Sequence, residues 1–358
     1  MEKRDILILV FVIIIAAALI SAAFFFMFRD SDNGILPWPN GNGNGQQIDR
    51  TEWAFEITQI SDMNDAGYDG GGVLVGIVDS GIDTTHPDLD HINITAWKDY
   101  VNGRANPYDD NGHGSHIAGI IAAQGEIDGI APKVEMIVVK AISSSGSGSD
   151  SDVAEGIEFC VSNGADVIVL SLGGGRLPIL GTEAERECED AIDAGVFVVA
   201  AAGNDGEDDN GDVASPATVS DVIAVGAIDE DKNIASFSSE GDNDGNLFPP
   251  RAPRFDPDMK PELVAPGVKI LSTWINNEYG IGSGTSQATA FVAGGVVLLL
   301  DAHPEYQREG SSGGDSNTVS DFKEIFMDTA EKCPNQETPH DDHYGYGLIN
   351  VRVAENRL

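Results

Sequence analysis

Residues 75–83 read V-G-I-V-D-S-G-I-D, an apolar run that stops abruptly at an aspartate. Other short apolar runs recur along the chain, and they are rich in β-branched residues with few polar interruptions. Runs of this kind are typical of strands that are buried on both faces of a parallel sheet. The predicted strands are residues 73–78, 136–141, 167–170, 196–201 and 222–225.

Helical patterns lie between and after these strands. Segment 150–162 has an apolar face behind a Ser-Asp cap, and segment 183–194 has a similar apolar stripe. Segment 285–302 is nearly all apolar, which predicts a buried helix, and segment 322–330 is predicted to close the fold. Strands that alternate with helices predict an α/β fold, with a mostly parallel sheet and helices on both faces.

Composition sets limits on the function. Of 358 residues, 41% are apolar, which excludes wholesale disorder. Acidic residues outnumber basic ones 59 to 20, so the formal net charge is −39 and nucleic-acid partners are excluded. A salt-adapted surface and a merely acidic surface both remain open as explanations of this charge.

The amino-terminal segment is predicted to cross a membrane. Residues 6–28 form an apolar run of 23 residues, enough at ~1.5 Å per residue to span a ~30 Å hydrocarbon core. Lys3 and Arg4 precede the run, which places the amino terminus in the cytoplasm and the remaining chain outside. An uncleaved anchor is favoured over a cleaved signal peptide, and a buried core helix is the weakest alternative.

These patterns divide the chain into three parts. Residues 1–28 are the cytoplasmic tip and anchor, residues 29–52 are a flexible tether rich in Gly and Asn, and residues 53–358 are the globular domain.

Asp-rich loops at 109–112, 204–212 and 240–246 suggest either calcium ligands or solvated turns. Cys160 and Cys188 lie on consecutive predicted helices, so a disulfide and two buried thiols both remain open, and Cys333 completes no metal-binding spacing.

Two segments place acid–base side chains where a site can form. Asp79 ends a predicted strand, at the sheet edge where active sites of open α/β proteins form. His113 lies between two glycines at a predicted helix start, in D-N-G-H-G-S-H-I-A-G. His116 follows three residues later, and it is interpreted as a buried structural histidine, with a metal site as the alternative. Taken alone, Asp79 is equally consistent with a turn cap.

Two further segments suggest nucleophilic chemistry. Ser286 opens the buried apolar helix within G-S-G-T-S-Q-A, where free backbone N–H groups and the positive helix end favour a nucleophile and its oxyanion. Asn204 follows a predicted strand in A-A-A-G-N-D, and its amide can donate a hydrogen bond to an oxyanion. Taken alone, a serine at a helix start is usually only a cap, and Asn204 would by default be an ordinary turn residue.

The order Asp, His, Ser in Gly-flanked segments resembles the subtilases, the subtilisin-like serine proteases, over residues 53–353. The resemblance extends to S-S-S-G-S-G at 143–148, S-L-G-G at 171–174, L-V-A-P-G at 263–267 and Y-G-L-I-N at 346–350. It implies a subtilisin-like three-layer fold, a serine endopeptidase acting through an acyl-enzyme, polypeptide substrates, and no cofactor for the chemistry. It gives no indication of the oligomeric state.

The resemblance also implies roles for individual residues. Ser286 would be the nucleophile, His113 the general base and acid, Asp79 the residue that orients the imidazole, and Asn204 a donor to the oxyanion. Asp205 lies beside this donor, which suggests a preference for a basic side chain before the scissile bond. The residues implied to hold an extended substrate are Gly146, Ser147, Gly148, Ser171, Leu172 and Gly173.

Several departures from the family pattern bear on these expectations. Gln287 replaces the methionine that many relatives have after the nucleophile. Asp88 matches a family calcium ligand, but the following segment Q-G-E-I-D-G-I-A-P is short, so structural calcium stays an open expectation. The competing functions are a catalytically silent protease that only binds peptides, a metallohydrolase using His113 and His116, and a nucleotide-binding sheet protein, the last disfavoured because the glycines precede the strand.

Overall fold

The computed structural model describes residues 25–27, 36–37, 51–174, 181–206, 211–245 and 252–358. Its centre is a seven-stranded sheet in which all pairs of neighbouring strands are parallel. Across the sheet the order is β10 (Leu263–Pro266), β9 (Ile223–Ile228), β8 (Phe197–Ala201), β7 (Val167–Leu170), β3 (Leu74–Asp79), β5 (Glu135–Lys140) and β4 (Ile94–Asp99).

Helices cover both faces of this sheet, as its buried strands require. On one face, α3 (His113–Ala122) packs against β3, and α6 (Thr285–Ala302) packs against β7, β8, β9 and β10. On the other face lie α4 (Asp150–Ser162) and α5 (Glu183–Asp193). Beside α5 lies α7 (Ser316–Thr329), whose Phe322 ring centroid is 5.1 Å from that of Phe197 on β8. The other helices in the described part of the chain are α1 (Glu52–Ile57), α2 (Ile60–Asp65), α8 (Val351–Glu355) and a short 3₁₀ turn at Pro304–Tyr306.

Capping residues explain where the predicted helices begin. The Ser149 hydroxyl accepts from Asp152 N at 3.1 Å, so α4 starts where the sequence predicts. Thr182 and Glu185 form a reciprocal capping box at the start of α5. The sequence predicts a helix at 322–330, but the observed helix, α7, begins at Ser316. It starts earlier because the Asp315 carboxylate accepts from Thr318 N and so caps the polar first turn.

Two smaller sheets flank the main one. Strand β1 (Phe25–Met27) pairs antiparallel with β6 (Ser147–Ser149). Strand β12 (Glu278–Gly282) pairs antiparallel with β11 (Ile270–Trp274) and with β2 (Leu36–Pro37). The hairpin β11–β12 leads directly into the loop that precedes Ser286.

The membrane prediction falls largely outside the described residues. Of segment 6–28 only Phe25–Met27 is described, and it forms a strand instead of a helix. Among the described residues, Thr285–Ala302 is the one helix long and apolar enough to cross a bilayer, but it is mostly buried inside the domain. Its apolar character therefore reflects its place in the core.

The three cysteines are buried free thiols. Burial raises the pKa of Cys160 and of Cys188, and it raises the pKa of Cys333 to about 11. Of the two alternatives for Cys160 and Cys188, the structure has the free thiols.

Candidate active site

The parallel sheet brings distant segments to one edge. Strand β3 ends at Asp79, β7 runs into Ser171, and β8 runs into Gly203 and Asn204. Because neighbouring strands in this sheet are parallel, all these ends lie at the same carboxyl edge. Helices α3 and α6, which pack against each other, carry His113 and Ser286 in their first turns.

Asp79 and His113 form a direct pair. The Nδ1 atom of His113 lies 2.9 Å from both carboxylate oxygens of Asp79. Asp79 is fully buried and His113 is 8% exposed. A carboxylate at Nδ1 favours the tautomer with its proton on Nδ1 and leaves Nε2 as the base.

The residues around this pair fix its geometry. Ser80 N donates to Asp79 Oδ1 at 2.6 Å, and the Ser80 hydroxyl accepts from Gly114 N at 2.9 Å. A side chain at Gly114 would lie 2.2 Å from the carbonyl oxygen of Gly81, so only glycine fits there. The carboxylate of Asp109 accepts from Gly112 N and from Ser115 N, so at least this part of loop 109–112 is a helix-capping turn.

Ser286 is 6% exposed and lies at the second position of α6. Its hydroxyl donates to the carbonyl oxygen of Ser171 at 2.9 Å, and the Ser171 hydroxyl donates to the carbonyl oxygen of Ser286 at 3.0 Å. This pair of bonds holds the start of α6 against the end of β7. The structure thereby joins the predicted nucleophile to one of the two segments predicted to hold substrate.

Asn204 is oriented by the residue that precedes Ser286. The Asn204 Oδ1 atom accepts from the backbone N of Thr285 at 2.8 Å and from its hydroxyl at 3.0 Å. The same hydroxyl accepts from Gly203 N at 3.2 Å. With Oδ1 engaged in this way, the Nδ2 group stays available as a donor beside the first turn of α6.

His116 does not join the pair of Asp79 and His113. Its Nε2 lies 3.2 Å from the carbonyl oxygen of Gly280, and its Nδ1 lies 3.5 Å from Nε2 of Gln287. Burial, with a smaller contribution from the nearby His113, lowers the pKa of His116 to about 3. Both ring nitrogens face protein groups, and the described residues contain no cluster of three metal-ligating side chains, so the structural interpretation of His116 is favoured.

The predicted substrate-binding residues occupy two segments. Gly146 ends the turn that leads into β6, where its N donates to Ser143 O at 3.0 Å, and β6 contains Ser147 and Gly148. Ser171, Leu172 and Gly173 follow β7, with Ser171 and Leu172 buried. The side chain of Asp205 is exposed, and its backbone N donates to the Ser239 hydroxyl at 3.3 Å.

The carboxylate of Asp88, where the family pattern implies a calcium ligand, is engaged by protein donors. Its Oδ2 atom accepts from Tyr279 Oη at 2.9 Å and from Ile127 N at 3.1 Å, and both oxygens lie 3.1 Å from Glu126 N. A Cβ atom at Gly125 would lie only 2.1 Å from Oδ1, so the shortened loop sits directly on the carboxylate. These residues do not fit a calcium ion at Asp88, whose oxygens would have to be free.

Two residues of this region were not predicted from the sequence. Thr285 fixes Asn204, and the signal was its position immediately before the nucleophile. Lys140 is fully buried at the end of β5 and ion-paired with Asp110 at 2.6 Å. The sequence feature that could have identified it is a single charged residue at the end of an apolar strand. A lysine is rarely buried in such a place unless it is paired.

Comparisons with known proteins agree with this geometry. A model of the subtilase family, Peptidase S8, matches residues 70–347. Subtilisin DY of Bacillus licheniformis is 37% identical over 306 residues, which cover 84% of this chain and 97% of that protein. Subtilisin E of Bacillus subtilis is 36% identical (84% and 70% covered), and Subtilisin Savinase of Lederbergia lenta is 34% identical (84% and 97% covered).

Proposed function

Because the chain belongs to the subtilase family and is a serine-type endopeptidase, we propose that Ser286, His113 and Asp79 perform its chemistry. The observation that carries the assignment is the contact of His113 Nδ1 with both oxygens of buried Asp79, at the edge where α6 delivers Ser286. All four positions expected of an active enzyme are filled, which supports catalysis over a silent peptide-binding role.

In the proposed reaction, rotation of the Ser286 hydroxyl away from Ser171 O brings its proton to Nε2 of His113. Oγ then attacks the scissile carbonyl carbon while Nε2 takes the proton, and Asp79 stabilises the imidazolium. His113 returns this proton to the leaving amine, and the C–N bond breaks to give an ester on Ser286. Water, deprotonated by His113, attacks the ester, and Ser286 regains its proton as the acid product leaves.

The oxyanion is stabilised by the Asn204 carboxamide and by the backbone N–H of Ser286. The amide is already fixed through Thr285, so little reorganisation is needed when charge develops. The first turn of α6 adds a positive helix end at the same place. No step of this reaction uses an organic cofactor.

Substrate is proposed to bind as an extended strand between residues 146–148 and residues 171–173. Support comes from β1, because Phe25–Met27 of this chain pairs antiparallel with Ser147–Ser149. Main-chain bonds of this kind give affinity with little demand on the substrate sequence. Specificity would then come from the pocket beside Asp205, which favours Lys or Arg before the scissile bond.

The test of the reaction compares single variants on a chromogenic peptide amide. Ser286→Ala and His113→Ala should each lose essentially all turnover, while Asp79→Asn should retain a trace. Full activity in Ser286→Ala would overturn the assignment.

Specificity is tested with paired peptides that carry Lys or Leu before the scissile bond. Asp205→Ser should reduce the preference for Lys. A preference of the native enzyme for Leu would contradict the role of Asp205.

The cellular setting is proposed from the sequence alone. Residues 6–28 would anchor the enzyme with its catalytic domain outside, where it acts on exported or extracellular proteins, and Phe25–Met27 would then leave the edge of β6 to substrate. The tether favours limited processing near the membrane over general degradation. The full chain should sediment with membranes after an alkaline wash and a version starting at residue 29 should not, whereas a full chain in the soluble fraction would contradict the anchor.

A further inference from the structure

The ammonium group of Lys140 occupies a fully buried position beside the candidate active site. Lys140 is the last residue of β5 and lies opposite Asp79, the last residue of β3. Its Nζ donates to Ser80 O at 2.7 Å, to Ile142 O at 2.8 Å and to Asp110 Oδ1 at 2.6 Å. A lysine ammonium has three donors, and all three are used.

Each acceptor lies on a different functional segment. Ser80 follows Asp79 and bonds to it and to Gly114. Asp110 lies three residues before His113, in the loop that starts α3. Ile142 lies just before the turn in which Ser143 N donates to Ser147 O at 2.9 Å, at the start of the proposed substrate strand.

Resting on the proposed function, we propose that Lys140 is a positioning residue that sets the carboxylate, the base and the substrate strand relative to one another. It touches none of the reacting atoms. Backbone bonds already link these segments, because Ala141 N and Ile142 N donate to Asp79 O and Gly81 bridges to Asp109. The buried ammonium is one side-chain group that bonds to all three, and misplacement of reacting groups by about 1 Å can cost about 100-fold in rate. The ion pair with Asp110 compensates the charge of Lys140, so its effect is geometric.

Elsewhere in the fold a second buried lysine offers a matched control. Lys323 is 1% exposed and pairs with Glu262, which binds the backbone of Ala224 at the amino end of β9. This is the end of the sheet opposite the candidate active site. Lys323→Met therefore removes a comparably buried charge without touching the segments that Lys140 joins.

The experiment measures kcat, KM and thermal unfolding for Lys140→Met and Lys323→Met. Lys140→Met should lose about 10- to 100-fold in kcat/KM, with kcat reduced and KM raised for peptides that reach residues 147–149. Lys323→Met should unfold at a lower temperature than the native enzyme but keep its kinetic constants. Equal kinetic losses in both variants, or a folded Lys140→Met with native constants, would overturn the inference.

A milder pair of variants keeps the test decisive if Lys140→Met does not fold. Asp110→Ala cuts only the bond to the loop that carries His113, so kcat should fall while KM changes little. Asp110→Asn keeps an oxygen acceptor and should restore most of kcat, whereas a loss equal to that of Asp110→Ala would contradict the positioning role. A fluorophosphonate that labels Ser286 in the native enzyme distinguishes failure of the Lys140 inference from failure of the proposed function. A native enzyme that is not labelled would contradict the proposed function itself.

Discussion

Single side chains at this site are held by their neighbours before substrate arrives. The amide of Asn204 owes its orientation to two donors of Thr285, at 2.8 and 3.0 Å. The sequence identifies Asn204 through the resemblance, but it does not reveal the bond from Thr285, because a threonine before a helix start is usually a cap. Only the approach of β8 to the start of α6 makes that hydroxyl an anchor.

Removal of the oxyanion donor should affect turnover more than binding. Asn204→Ala should lower kcat by about 10²–10³-fold with little change in KM, because its amide acts on the transition state. Thr285→Val keeps the backbone donor and the side-chain shape, so its loss should be smaller. Steady-state kinetics on one peptide amide check both variants, and a raised KM with native kcat in Asn204→Ala would contradict the role.

The buried His116 should make the folded state sensitive to acid. Its pKa is about 3 in the fold and about 6.5 when unfolded, so the unfolded chain binds more protons between these values. The stability contribution is complete above pH 6.5 and is lost as the pH falls toward 3. Between pH 6.5 and pH 4.5 this loss is roughly 2 kcal/mol, because the unfolded histidine is already half protonated at pH 6.5.

Urea unfolding at those two pH values measures this effect in Ser286→Ala protein, which cannot digest itself. His116→Gln should show a correspondingly weaker dependence of unfolding free energy on pH, although it starts from a lower stability. An identical pH dependence in the two proteins would show that His116 takes up no proton on unfolding.

Whole elements were predictable where a cap and an apolar pattern agree. Helices α4 and α6 match the predicted bounds, since Ser149 caps one and the other is buried nearly throughout. Strands β11 and β12 were not predicted, because polar residues and glycine break the apolar residues of segment 270–282 into short groups. Their pairing is decided by contacts with α3 and with the distant Asp88, which a local pattern does not contain.

The hairpin β11–β12 contains Tyr279, whose hydroxyl donates to the Asp88 carboxylate, where the family pattern implies a calcium ligand. Tyr279→Phe should lower the free energy of unfolding by about 1.5–3 kcal/mol, the range for hydrogen bonds to charged groups. Tyr100→Phe is the matched control, because its hydroxyl donates to a neutral carbonyl oxygen, that of Glu155, at an exposed position.

A chelator should leave the melting temperature of the Ser286→Ala protein unchanged. A drop with chelator that disappears in Asp88→Asn would place calcium at Asp88 after all.

The charge of the whole molecule is concentrated on its surface. The chain has only 20 basic residues against 59 acidic ones, and within the described part of the chain only seven acidic residues are buried, together with three lysines. Self-repulsion of such a surface opposes the compact state and is screened by salt. Composition alone predicts this property. The contact of His113 with Asp79, and the position of Ser286 against the end of β7 at the same sheet edge, depend on long-range topology and were accessible only through the family resemblance.

The melting temperature should therefore rise as sodium chloride increases from about 0.05 M to about 1 M, where the screening length falls to about 3 Å. Choline chloride at equal ionic strength separates general screening from specific binding of sodium. A melting temperature that stays constant or falls with both salts would show that self-repulsion does not limit the stability of this fold.

The proton relay through Asp79, His113 and Ser286 is tested most directly by trapping the acyl-enzyme. A slowly hydrolysed ester is mixed with the enzyme, quenched in acid and digested, and the modified peptide is identified by mass spectrometry. The expected result is one acyl group per chain on Ser286, formed far more slowly in His113→Ala and absent in Ser286→Ala. An acyl group on any other residue, or its undiminished formation in His113→Ala, would contradict the account.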